Sequence, residues 1–247
     1  MRNWIPRSLK GAIVLLACFA AGAFAATDTL QLQTAGAGYV MGGVYTSPYG
    51  ISINGGAPTL LICDDFTTDI SLGQTWFATV TSLADLQAGT GTPKFTPVDI
   101  QNYATAGVLA AELMSLPNLY SEAAGEISYA IWGIFDTTLL NSMSNPYGTI
   151  TQKELDAAKQ YLMNAENMVA GATTAGVVDL SKISINGQSI NGLTIYTPSG
   201  PNGLNSSQEF LQVSMPEPSY PAVLAVDLLA VVGLMVVLRR RITGIFS

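Results

Sequence analysis

The 247-residue chain contains no histidine. That excludes Ser-His and Cys-His catalytic pairs, His-ligated zinc and histidine-based pH sensing. Cysteine is almost as scarce, with only Cys18 and Cys63. Cys18 falls in a stretch with the character of a cleaved leader, so Cys63 is expected to stand alone, without an intramolecular disulfide partner. Charged residues make up only 11% of the chain, and cations are rarest in its middle. Between Ala26 and Tyr220 there are sixteen acidic residues against four lysines (Lys94, Lys153, Lys159 and Lys182), about twelve units net negative. Such a surface opposes nucleic acid and anionic lipid, and is compatible with a matrix protein or one that uses divalent cations.

What the ends contain is as informative. Arg2, Arg7 and Lys10 precede an apolar stretch from Gly11 to Gly22 and the small-x-small triplet Ala23-Phe24-Ala25. This is the pattern of a signal peptide over residues 1–25. The lipobox-like Leu15-Leu16-Ala17-Cys18 offers a lipoprotein reading, but it would leave an apolar FAAGAFAA segment on the mature chain. At the other end, Pro216-Glu217-Pro218 is followed by an 18-residue apolar run, Pro221 to Leu238, and then by Arg239, Arg240 and Arg241. As a helix the run reaches about 27 Å, close to the hydrocarbon thickness of a bilayer. The arginines act as a stop on the cytoplasmic side, placing the preceding chain outside the cytoplasm. Asp227 inside the run costs a few kcal/mol at mid-bilayer, which suits a segment that is processed. The three-part order resembles the PEP-CTERM sorting signal of Gram-negative bacteria. The resemblance implies an exosortase-type membrane transpeptidase as partner, cutting near Pro216-Glu217-Pro218, with delivery to the cell surface or extracellular matrix. Three regions follow: a signal peptide (1–25), an exported domain (26–213) and a sorting signal with a transmembrane helix (214–247).

Within the exported part, residues 28–83 read as β, with Asn54-Gly55 as a hairpin turn. Helical spacing takes over from Asp99 to Met114, from Tyr120 to Phe135, and from Thr151 to about Ala170, the last opened by a Thr151-x-x-Glu154 capping box. Strands return over 182–185, 189–196 and 209–213. The expected class is α+β: a sheet or sandwich-like lobe with an inserted segment of about three helices, plus the C-terminal transmembrane helix. ISING occurs at Ile51–Gly55 and again at Ile183–Gly187. Two generic hairpin corners do not make a repeat.

Two blocks stand out: Leu61-Ile62-Cys63-Asp64-Asp65-Phe66 and Ile127-Ser128-Tyr129-Ala130-Ile131-Trp132. They resemble the signature blocks of the thioester domains of bacterial surface adhesins. In that family a strand cysteine and the glutamine of a helical Thr-Gln-x-Ala-Ile-Trp join as an internal thioester. Ile127 stands in the threonine place and Ser128 in the glutamine place. A serine has no carboxamide to donate, so the resemblance implies the fold without the bond, and Cys63 and Ser128 are degenerate thioester positions. Cys63 otherwise reads as a small buried hydrophobe. Asp64, Asp65 and Asp69 are the densest acidic cluster and a candidate calcium site, although the spacing lacks a D-x-D-x-D-G loop. A hydrolase with paired carboxylates would need two acids across a cleft, and no such pair is evident. Trp76, Trp132, Tyr129, Tyr39, Tyr45 and Tyr49 are candidates for a sugar-binding face, with core and turn packing the competing role. The reading is an exported, non-enzymatic surface or matrix protein without a cofactor, structural or adhesive in an exopolysaccharide layer or biofilm. The alternative is a covalent thioester-type adhesin or a carboxylate-based hydrolase of extracellular polymer.

Overall fold

A computed structural model describes residues 26–35, 39–200 and 207–215. The leader, the motif Pro216-Glu217-Pro218, the apolar run and the triplet Arg239, Arg240 and Arg241 lie outside the described residues. Among the described residues no helix is long and apolar enough to cross a membrane. Six strands form the barrel: β1 (Thr27–Thr34), β2 (Tyr49–Ile53), β3 (Pro58–Cys63), β4 (Thr75–Ser82), β5 (Gly192–Ser199) and β6 (Phe210–Ser214). Their order around the barrel is β1-β2-β3-β6-β5-β4, with β4 returning to β1, and every pairing is antiparallel. Between β4 and β5 the chain inserts α1 (Leu83–Gln87), α2 (Ile100–Met114), α3 (Glu122–Phe135) and α4 (Gln152–Ala172).

The expected strand-rich lobe with inserted helices is present, and its expected sheet or sandwich-like arrangement takes the form of a closed barrel. Closure comes from β4, which pairs with β1 through residues 75–79 and with β5 through residues 77–82. A barrel leaves no edge for other chains to pair with. The helices exceed the expected three by the short α1, which begins in a capping box between Ser82 and Asp85 at the very end of β4.

Side-chain alternation divides the barrel wall. Leu30, Leu32, Ile51, Leu61, Trp76 and Phe210 fill the interior. Ile62, Ile195 and Leu211 point the other way, into a second core shared with the helices. The C-terminal half of β3 is therefore buried on both faces, which is why Leu60-Leu61-Ile62-Cys63 reads as an apolar run rather than as alternation. Each buried Leu, Ile or Phe contributes about 1.5–3 kcal/mol relative to exposure.

In the helical layer α2 packs against α3, α4 and β6. Ten of its fifteen residues are buried, so it has no true solvent face. Alanines and Gly107 allow the close approach: a Cβ at Gly107 would lie 3.1 Å from Leu193 Cδ2. By contrast α4 is amphipathic, burying Leu155, Ala158, Ala165 and Val169 along one stripe. Both ISING copies are tight turns, with positive φ at Asn54 and Gly55 and again at Asn186 and Gly187. The first joins β2 to β3, and the second closes a two-stranded ribbon, 184–185 with 188–189. What repeats is a turn.

The cap of α4 is testable. The Thr151 hydroxyl accepts the Glu154 N–H at 3.2 Å, and the Glu154 carboxylate accepts the Thr151 N–H at 2.6 Å. Thr151→Ala should lower unfolding free energy by about 1 kcal/mol, read in urea as a lower midpoint with unchanged m-value.

Candidate functional site

The site lies where the C-terminal end of β3 meets the start of β6 under α3. Ser128 and Trp132 are one helical turn apart, so both project from the same face of α3. Trp132 Nε1 donates to the Cys63 carbonyl at 3.0 Å. The Cys63 N–H donates to Ser47 Oγ at 3.0 Å, and the Ser47 N–H donates to Ser128 Oγ at 3.1 Å. The Ser128 hydroxyl in turn donates to the Ala124 carbonyl at 2.8 Å. The structure thus brings Cys63 and Ser128 together through one bridging residue, Ser47, which neither signature block contains. All three are buried, so this hydrogen-bond chain replaces water for groups that would otherwise be unpaired.

The Cys63 thiol donates to the Asp65 carbonyl at 3.2 Å. Burial pushes its pKa well up, and the nearby Asp65 and Asp64 carboxyls push in the same direction. A protonated, closed-off thiol is a poor nucleophile. The Gln208 side-chain amide donates to the same Asp65 carbonyl at 3.1 Å.

The aspartate cluster is split three ways. Asp65 is fully buried and forms an ion pair with Lys94, while Thr67 donates to its other oxygen from N–H and hydroxyl at 3.0 and 2.8 Å. Lys94 Nζ also reaches Thr68 Oγ1 at 2.6 Å and the Ser207 carbonyl at 3.4 Å. Asp64 turns to the opposite side, against Glu209, and Asp69 is exposed with Tyr147 OH 3.3 Å from its carboxylate. The expected grouping of Asp64, Asp65 and Asp69 around one cation is therefore corrected. Successive strand residues face opposite ways, and among the described residues no three acids converge.

Asp64 and Glu209 form the carboxyl pair that the sequence did not reveal. Glu209 accepts from Tyr103 OH at 2.8 Å, from the Lys94 N–H at 2.8 Å and from the Thr197 hydroxyl. Neither oxygen of Asp64 receives a donor among the described residues. Two buried acids side by side without a cation are stable when one keeps its proton. Asp64 keeps it: burial raises its pKa well above 3.8, and Glu209 and Asp65 raise it further. Burial also raises Glu209, but hydrogen bonds from Thr197, Lys94 and Tyr103 favour its ionised form. Both carboxyls are fully buried, so the pair does not flank a cleft.

Beside Cys63 a cleft of about 220 Å³ opens to solvent. Tyr45, Tyr49, Phe66, Trp132 and Tyr147 line it, with Asp69 and Gln208 among the polar groups. Phe66 packs on Trp132 and Tyr147 at centroid distances of 5.3 and 5.7 Å. The expected aromatic set divides here. Trp76 is inside the barrel and Tyr129 is buried with its hydroxyl pushed up to about 12, while Trp132, Tyr45 and Tyr49 reach the cleft. Ser47, Lys94, Gln208 and Glu209 were not recognisable as site residues. Two weak signals existed: Lys94 is the one cation in a Gly/Thr/Pro loop, and Glu209 directly precedes the apolar pair Phe210-Leu211.

No family model matches the chain, and no curated protein matches it. The N-terminal domain of the Streptococcus pyogenes pilus tip adhesin Cpa is similar in structure at 12% identity and a TM-score of 0.38, with 70% of this chain and 86% of that chain covered. The N-terminal thioester domain of a surface protein from Clostridium perfringens is similar at 12% identity and a TM-score of 0.40, with 77% and 100% covered. At that identity and those TM-scores, neither likeness decides the fold, site or activity of this chain.

The carboxyl pair makes stability pH-dependent. A buried Asp64 with a raised pKa binds a proton that the unfolded chain releases above 3.8, so its contribution is full below that value and is lost as pH rises through the folded pKa. Unfolding free energy should therefore decline as pH climbs above about 4, and Asp64→Asn, neutral at every pH, should flatten the decline. Urea titrations at several pH values check this.

Proposed function

We propose that the chain is an exported, non-enzymatic protein of the cell surface or extracellular matrix, adhesive or structural within an exopolysaccharide layer or biofilm. The observation that carries this reading is the order of the C-terminal tail relative to the folded domain. The last strand, β6, completes the barrel at Ser214, and Met215 alone separates it from Pro216-Glu217-Pro218. The apolar run and Arg239, Arg240 and Arg241 follow. An exosortase-type enzyme cutting at the motif would free or transfer a complete domain from its membrane helix. Two further features support the reading. The acidic exported part suits a hydrated extracellular polymer, and the Cys63 thiol, the Ser128 hydroxyl and the Asp64 and Asp65 carboxyls are all buried. In a producing Gram-negative host, the mature protein should lack the segment after the motif, and deletion of Pro216–Pro218 should leave the full tail attached. C-terminal peptide mass spectrometry reads both; identical processing of the two chains would overturn the sorting assignment.

One observation favours a covalent form of the same role. Cys63 Sγ and Gln208 Nε2 donate to the same carbonyl, that of Asp65. A carboxamide, absent from position 128, thus stands near the Cys63 thiol two residues before β6 begins. Attack of the Cys63 sulfur on Gln208 Cδ would form a C–S bond and break the C–N bond. Ammonia would leave with the thiol proton, a loss of about 17 Da. Intact-mass measurement decides between the two forms. The loss, abolished by Cys63→Ala, establishes the covalent form; an unchanged mass establishes the non-covalent one.

A further inference from the structure

The cleft beside Cys63 combines features that a packing role does not require. Its aromatic walls are only partly covered: Tyr45 is 54% and Tyr147 46% exposed, although both are large apolar side chains. Tyr49 spends its hydroxyl on the Tyr45 carbonyl at 2.7 Å, so the ring rather than the polar tip is offered to the cleft. Asp69 and Tyr147 place a carboxylate and a phenol at the rim, 3.3 Å apart. Deeper in, Gln208 is 91% buried and its Nε2 is committed to the Asp65 carbonyl. Its Oε1 consequently has no donor among the described residues. That oxygen is closed to solvent and lies beneath the floor of the cleft, not on it. A larger depression of about 480 Å³ near Pro93 and Pro198 has no aromatic wall and none of the buried unpartnered atoms.

We propose that this cleft binds a neutral pyranose unit of a polysaccharide, with sugar C–H faces on Tyr45, Tyr147 and Phe66 and sugar hydroxyls donated to Asp69. Pyranoses present alternating apolar C–H faces and equatorial hydroxyls, which match aromatic rings flanked by acceptors. A volume of about 220 Å³ holds one such ring with neighbouring residues of the polymer continuing into solvent. Charge decides against uronic acids: Asp69 stands at the mouth, and the exported part is about twelve units negative. This deepens the matrix reading above and rests on it for its biological setting, while the binding itself does not depend on sorting.

The test is titration of the full chain, purified in detergent, with hexaoses of glucose, mannose, galactose and N-acetylglucosamine, and with an oligomannuronate as the anionic comparison. Tryptophan fluorescence and calorimetry report binding. At least one neutral hexaose should bind, and Tyr147→Ala and Tyr45→Ala should each weaken it about tenfold. Tyr120→Ala, an exposed tyrosine outside the cleft, should leave it unchanged, and circular dichroism confirms that each variant folds. Binding of none of the neutral hexaoses, preference for the oligomannuronate, or equal binding by the cleft variants would overturn the assignment. Because the titration uses purified protein, a failure of tail processing in the host leaves its result intact, so the two readings fail separately.

Discussion

The junction between β3 and β6 is only two residue pairs long, Cys63 with Phe210 and Ile62 with Leu211. It is the shortest pairing in the barrel and, with β4–β5, one of the two that join the N-terminal strands to the C-terminal pair across the inserted helices. Beyond Cys63 the two chains part, and the next main-chain contact, Asp64 N–H to the Glu209 carbonyl, stretches to 3.4 Å. Side chains then do what the ladder no longer does. Trp132 and Ser47 satisfy the Cys63 backbone, Gln208 takes the Asp65 carbonyl, and Glu209 takes the Lys94 N–H. Buried backbone groups are seldom left unpaired, so a short seam recruits polar side chains from both lobes.

That requirement explains the concentration of polar residues in the middle of an apolar molecule. Asp64, Asp65, Ser128 and Glu209 are all fully buried; Asp65, Ser128 and Glu209 accept hydrogen bonds from other segments of the chain, and Asp64 stands against Glu209. Breaking such an arrangement from one side leaves an unpaired charge or donor, so its members are mutually dependent. The same arrangement closes Cys63 off. A thiol held in its protonated form by burial and two neighbouring carboxyls is a structural element of the seam first.

The seam also shapes the surface. Because the chain after Cys63 leaves the barrel, Phe66 and Asp69 swing outward to meet Tyr147 from the segment preceding α4. Trp132 serves both sides, holding the Cys63 carbonyl with its indole N–H while its ring lines the cleft. Packing and accessible surface are thus set by the same aromatic group.

Much was legible locally. Asp99 and Thr151 start their helices where capping chemistry places them, Asn54-Gly55 and Asn186-Gly187 turn the chain, and α4 shows its apolar stripe. These features depend on residues within one or two turns of each other, so the sequence by itself determined them, along with the histidine-free, acidic character that limits the chemistry. Barrel closure was not legible, because the β4–β5 pairing joins segments separated by four helices and strand alternation is the same in a barrel and a sandwich. Nor was the partnering of Asp64 with Glu209, Asp65 with Lys94, or Cys63 with Ser47. Burial and hydrogen bonding between residues 16 to more than 100 positions apart are decided only when the chain has closed, since desolvation, not residue type, determines which acid keeps its proton and which rings stay exposed.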